Sequence, residues 1–108
     1  KKCKHFSELD VVEWTWINFL QYWDSRYLET LNVLPPAIGG KSRGKYKNII
    51  DSATKHWGNE LFKEMIDFVF DNLAYYPQWN NPTINLVCGS HYWVAEISRK
   101  VQQKGQIL

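Results

Sequence analysis

Gly40, Lys41 and Ser42 reproduce the end of a phosphate-binding loop, G-x-x-x-x-G-K-[ST], and open the most basic stretch of the chain. The first Gly of that pattern falls on Pro35, which has no backbone N–H to offer a phosphate. The pattern also needs a buried strand before it, and Val33-Leu34 is too short to be one, so nucleotide hydrolysis is set aside. What survives is anion binding. Lys41, Arg43, Lys45, Lys47 and Lys55 face Asp51 alone between positions 41 and 55. Backbone N–H groups near Gly39, Gly40 and Gly44 and the start of a following helix would point at the same anion. The ordinary reading of such a run is a solvated, flexible, basic loop.

Other chemistries find less support. Cys3, His5, Cys88 and His91 add up to four zinc-type ligands, but a one-residue Cys-x-His gap is unusual and the two pairs lie at opposite ends of the chain. The expectation is two unrelated thiols and no metal or other cofactor. The three His residues have no local partner to activate a nucleophile, and the acids fall at helix-surface spacings, so no enzyme and no small-molecule substrate are inferred.

The charges are sorted along the chain. Four acids (Glu60, Glu64, Asp67, Asp71) stand against Lys63 between positions 60 and 71, and five stand against Arg26 between Glu8 and Glu29. A net charge of +2 conceals this polarity, which suits one basic surface on an otherwise acidic body. The 108 residues fit one domain, 1–108, with a basic tail at 1–6 and a second tail at 105–108. Aromatic residues make up 16% of the chain, enough to build a small core and still leave interface anchors. No apolar run approaches a membrane span, and Lys1-Lys2-Cys3-Lys4-His5 does not lead into a signal sequence. Two cysteines are too few for a disulfide scaffold, so a reducing, cytoplasmic setting is expected.

These residues need helices to position them. Ser7 with Glu8 and Asp10 reads as a helix cap, and Leu9, Val12, Trp16, Phe19, Trp23, Tyr27 and Leu31 recur along one helical face. Trp14, Ile17 and Leu20 begin a second stripe beside it, and Asn32 before Pro35-Pro36 ends the helix. An irregular connection is expected from Asn32 to Gly44. A second helix over 45–57 turns Tyr46, Ile49, Ile50, Ala53 and Trp57 inward and stops at Gly58. Asn59 caps a third from Glu60 to about Ala74, with Leu61, Phe62, Met65, Ile66, Val69, Phe70 and Leu73 buried and its acids solvated. A turn-rich bridge follows, then a one- or two-turn helix or short extended segment over 83–88. A final helix, Tyr92 to Gln103, carries Trp93, Val94, Ile97 and Val101 inward. The fold expected is all-α, an orthogonal bundle of four or five helices.

This order of features resembles a small helical module of bacteriophage and plasmid replication accessory proteins. The matching residues run from Trp16 to Val101: Phe19, Trp23 and Tyr27; Pro36, Gly40 and Lys41; Tyr46, Ile50 and Trp57; Leu61, Ile66 and Phe70; Pro82, Thr83, Leu86, Ser90 and Trp93. The resemblance implies an association with nucleic acid or with replication and transcription machinery, and no reaction. Two functions are therefore expected. In the first, Lys41, Arg43, Lys45 and Lys47 hold DNA phosphates, joined by Arg99 and Lys100, with weak sequence specificity unless Asn48 or Tyr46 reaches a base edge. In the second, Trp14, Ile17 and Leu20, or Tyr75, Tyr76 and Trp79, dock on a protein partner such as a polymerase or helicase.

Overall fold

The computed structural model describes residues 5–33, 40–76, 79, 84–88 and 92–106, with side chains at all of these except 40–43, 85, 92 and 104–106. Among them are four α-helices and no strand: α1 (Trp16–Leu31), α2 (Gly40–Trp57), α3 (Asn59–Asp71) and α4 (Tyr92–Gln106). Short 3-10 turns cover Phe6–Glu8, Val11–Glu13, Leu73–Tyr75 and Ile84–Val87. The all-α bundle follows from the apolar periodicity of the chain, and the 84–87 turn is helical rather than extended.

α3 is the centre of the bundle, packing on α1, α2 and α4. Its sequence explains why. Phe62, Met65, Ile66, Val69 and Phe70 recur at three- and four-residue steps and are buried together. Each meets aromatic or aliphatic side chains of a neighbouring helix. Phe19 of α1 meets Phe62 edge-on at 4.9 Å, and Trp23 meets Phe70 at 4.7 Å. Ile50 and Ala53 of α2, and Val94, Ile97 and Val101 of α4, complete one shared core. α1 also packs on α2, while α4 packs on α3 and on the 84–87 turn, whose Ile84, Leu86 and Val87 are buried.

The largest departure from expectation is at the N-terminus. Instead of one helix from Ser7, the chain makes two 3-10 turns and enters α1 only at Trp16. Thr15 and Asn18 decide this boundary: Asn18, the third helical residue, accepts a hydrogen bond from the Thr15 N–H at 2.9 Å, as in a capping box. Trp14 then folds inward, and its indole N–H donates to the carbonyls of Phe6 (3.2 Å) and Leu9 (3.3 Å). Phe6 belongs to no tail. Its ring packs on Trp14 and Tyr22, and its N–H donates to Gln21 Oε1 at 3.1 Å. Leu9 is half-buried and Val12 is exposed, against the continuous stripe expected for both.

Three other boundaries move. Gly58, not Asn59, precedes α3; its φ of 87° is the left-handed region that favours glycine. Asn59 instead donates from its side-chain amide to the carbonyls of Val11 (2.8 Å) and Trp14 (3.0 Å), fastening the N-terminal turns to α3. α3 ends at Asp71, where the Asn72 N–H reaches Phe68 and Val69, rather than continuing to Ala74. α4 runs on to Gln106, so Gly105 does not begin a tail. Asn32 closes α1 as expected, in the αL conformation with φ 60°.

Candidate functional site

The basic segment lies in a helix, not in a loop. α2 begins at Gly40, so the backbone of Lys41, Ser42 and Arg43 is helical, within the stretch expected to be irregular. Neither Gly40 nor Gly44 forbids this, since glycine weakens a helix interior by only about 1 kcal/mol relative to alanine. Gly44 adopts ordinary helical backbone with open space where a Cβ would stand. No acid occupies the first turn of α2, whereas Lys55 and His56 sit in its last turn, where the helix dipole favours cations.

The register of α2 divides it into two faces. Ile50 and Ala53 are buried, with Tyr46, Ile49 and Trp57 half-buried beside them. Opposite, at three- and four-residue steps, Lys45, Asn48, Ser52, Lys55 and His56 are all exposed, and Gly44 adds a bare patch of backbone. Lys41 falls one turn before Lys45 in the same register. One exposed acid, Asp51, borders this stripe, three residues after Asn48 and four before Lys55. Lys47 stands to one side, its ammonium 3.0 Å from Asp51, so one of the candidate phosphate contacts is already engaged. Lys45 and Lys55 have no ion-pair partner among the described residues. Over ten residues at ~1.5 Å rise, the stripe from Lys45 to Lys55 spans about 15 Å.

Arg99 and Lys100 are on α4, whose packing partners are α3 and the 84–87 turn, and the stripe stands without them. Arg99 pairs with Glu96 at 2.7 Å, and Lys100 is half-buried.

Burial takes three of the six expected docking residues out of reach of a partner. Trp14, Leu20 and Trp79 are buried in the core, and Ile17 and Tyr76 are half-buried. Trp79 stacks on Tyr76 at 4.2 Å with 15° between the planes, and Trp93 closes edge-on at 5.3 Å. Only Tyr75 of the six is open to solvent, at 78%. For Trp14 the cause is the capped start of α1, which turns it back into the core instead of outward along a longer helix.

The acids of α3 are not all solvated. Arg26 of α1 bridges three carboxylates, with Nη1 2.9 Å from Glu29, Nη2 2.7 Å from Asp71 and Nε 3.4 Å from Asp67. Asp67 also receives the Tyr22 hydroxyl and the Lys63 ammonium, the latter at 3.0 Å. Burial, reinforced by the bond to Asp67, pushes the Tyr22 phenol above its ordinary range. Burial alone would lower the Arg26 pKa, but the bond to Asp71 and the charge of Asp67 outweigh it and hold the guanidinium charged. These contacts neutralise the middle of the acidic face and leave Glu60 and Glu64 exposed and without an ion-pair partner among the described residues.

Of the zinc-type ligands, Cys3 and His91 lie outside the described residues. Cys88 is buried, and desolvation pushes its thiol up to about 12. His5 is exposed and accepts the Ser7 N–H at 3.2 Å. No cluster of three metal-ligating side chains occurs among the described residues, and no helix among them is long and apolar enough to cross a membrane. Ser52, Lys55 and His56 were not in the expected binding set; the 45-48-52-55 spacing in the sequence is the signal that brings them in. Comparison with known proteins finds no matching family model, no similar curated protein and no similar solved structure.

Proposed function

We propose that this domain binds nucleic acid through the outer face of α2, without catalysis. The observation that carries the reading is the exposed stripe of Lys45, Asn48, Ser52, Lys55 and His56, with Lys41 in register one turn earlier and its one bordering acid, Asp51, paired with Lys47. The ammonium groups of Lys45 and Lys55, without an ion-pair partner among the described residues, suit phosphates, which supply affinity and little sequence information. Between them stand an amide and a hydroxyl, side chains able to hydrogen-bond a base edge, and Asn is suited to adenine. An α-helix of about 10–12 Å diameter fits the ~12 Å major groove of B-form DNA. The resemblance to phage and plasmid replication modules adds the setting, an accessory role in replication or transcription.

The test is a titration of labelled duplex DNA at a series of salt concentrations. Replacing Lys45 and Lys55 together by Ala should lower affinity and flatten the log–log salt slope by about 0.9 per lost phosphate contact. Lys47→Ala should have a smaller effect, because that ammonium is shared with Asp51. Absence of binding at low salt by the unaltered domain, or a salt slope unchanged in the double variant, would remove α2 as the interface.

A further inference from the structure

A second surface lies at the corner where α2 turns into α3. Gly58, in its left-handed conformation, lets Trp57 and Leu61 flank the turn, both half-buried. The N-terminal turns pass across this corner, fastened by the Asn59 amide to the carbonyls on either side of Val12 and Glu13. Val12 is thereby held at the rim, 66% exposed. Val12, Thr54, Trp57, Leu61, Glu60 and Glu64 line a cavity of about 510 Å³. Glu60 and Glu64 are one turn apart on α3, and no lysine or arginine among the described residues pairs with either; Lys63, between them, turns to Asp67. Asp10 and Glu13 are exposed on the turns beside them. A smaller cavity of about 270 Å³ further along α3 is bordered by Asp67 and Asp71, but Arg26 and Lys63 already occupy those carboxylates. The corner is the place where apolar surface and unneutralised acid coincide.

We propose that this corner is a docking groove for a basic segment of a separate protein, a Lys- or Arg-rich stretch carrying an aliphatic anchor. The aliphatic side chain fits between Val12, Trp57 and Leu61, and the cations meet Glu60 and Glu64. Charge complementarity selects this occupant. A nucleic acid is repelled by the same carboxylates, and the basic stripe of a second copy has Asn48 and Ser52, with no apolar anchor, between its lysines. The groove is lined by Thr54 and Trp57 of α2 and by none of the residues of its outer stripe.

The probe is a synthetic amphipathic peptide of Lys and Leu, titrated into the domain by calorimetry and by amide chemical-shift mapping. Shifts should cluster at Val12, Thr54, Trp57, Leu61 and Glu64. Glu60→Lys with Glu64→Lys should weaken the peptide by about tenfold or more, since like charges then face each other across the contact. A peptide with Ser in place of Leu should bind several-fold more weakly. Both altered residues are exposed, so the fold should persist, which a far-UV circular dichroism spectrum checks. Duplex DNA affinity should not fall in the double variant, which separates this surface from α2. Shifts centred elsewhere, equal affinity for the Ser peptide, or an undiminished affinity in the double variant would overturn the proposal. So would concentration-dependent self-association in sedimentation that the same charge reversal abolishes, because the occupant would then be a second copy.

Discussion

Ile66 and Phe70 show how closely single residues of the core follow from sequence. Both were legible from the spacing of α3, and both are buried, Ile66 completely and Phe70 to 4% exposure. Replacing either with Ala should destabilise the domain by about 2–5 kcal/mol in denaturant titrations. Cys88 makes a prediction of a different kind. Its thiol ionises at about 12 in the folded state, above the ordinary 9.0. A raised pKa contributes stability that is whole below pH 9 and is lost as pH rises toward 12. Tyr22, raised from 10.0, adds a loss of the same sign starting about one unit higher. Melting temperature should therefore fall on the alkaline side, and Cys88→Ala combined with Tyr22→Phe should flatten that fall. A slope unchanged in the double variant would assign the alkaline loss to other groups. What was not legible at this scale is the pairing of Arg26 with Asp67 and Asp71. A contact across 41 or 45 residues leaves no local pattern, and the acids of α3 read as solvated for that reason.

At the scale of elements, apolar periodicity identified all four helices, while capping chemistry set their limits. Thr15 with Asn18 starts α1 later than Ser7 would, and no hydrophobic count reveals which cap prevails. In α2 the error ran the other way. Two glycines near a Pro-Pro pair suggested irregular chain, yet helix begins at Gly40, and the basic residues changed from a loop cluster to a stripe. Gly44 tests this assignment directly. In a helix, exposed and with nothing within 4 Å of a built Cβ, Gly44→Ala should stabilise by roughly 0.5–1 kcal/mol. In a loop that needed glycine it would destabilise. Gly58→Ala supplies the contrast. With φ at 87°, a side chain there is strained, and the substitution should cost about 1 kcal/mol or more even though the space is open.

Over the whole molecule, sorted charge was visible in the sequence as blocks, and the fold turns the blocks into surfaces. α2 presents a cationic outer stripe, Arg26 quiets the centre of the acidic face, and the carboxylates at the corner beside Gly58 have no ion-pair partner among the described residues. The aromatic excess resolves mostly into core, because Trp14 and Trp79, both plausible anchors in sequence, are needed inside. The fastening of Trp14 also orders events in time. Asn59 grips the Trp14 carbonyl 45 residues downstream of it. At a translation rate of ~5–20 residues per second, that separation is roughly 2–9 s of synthesis. Throughout that interval the nascent chain carries Trp14, Phe19 and Trp23 with no α3 to cover them. The turns before α1 find their place only once α3 has been made, and this stretch is where a ribosome-associated chaperone would meet the growing polypeptide.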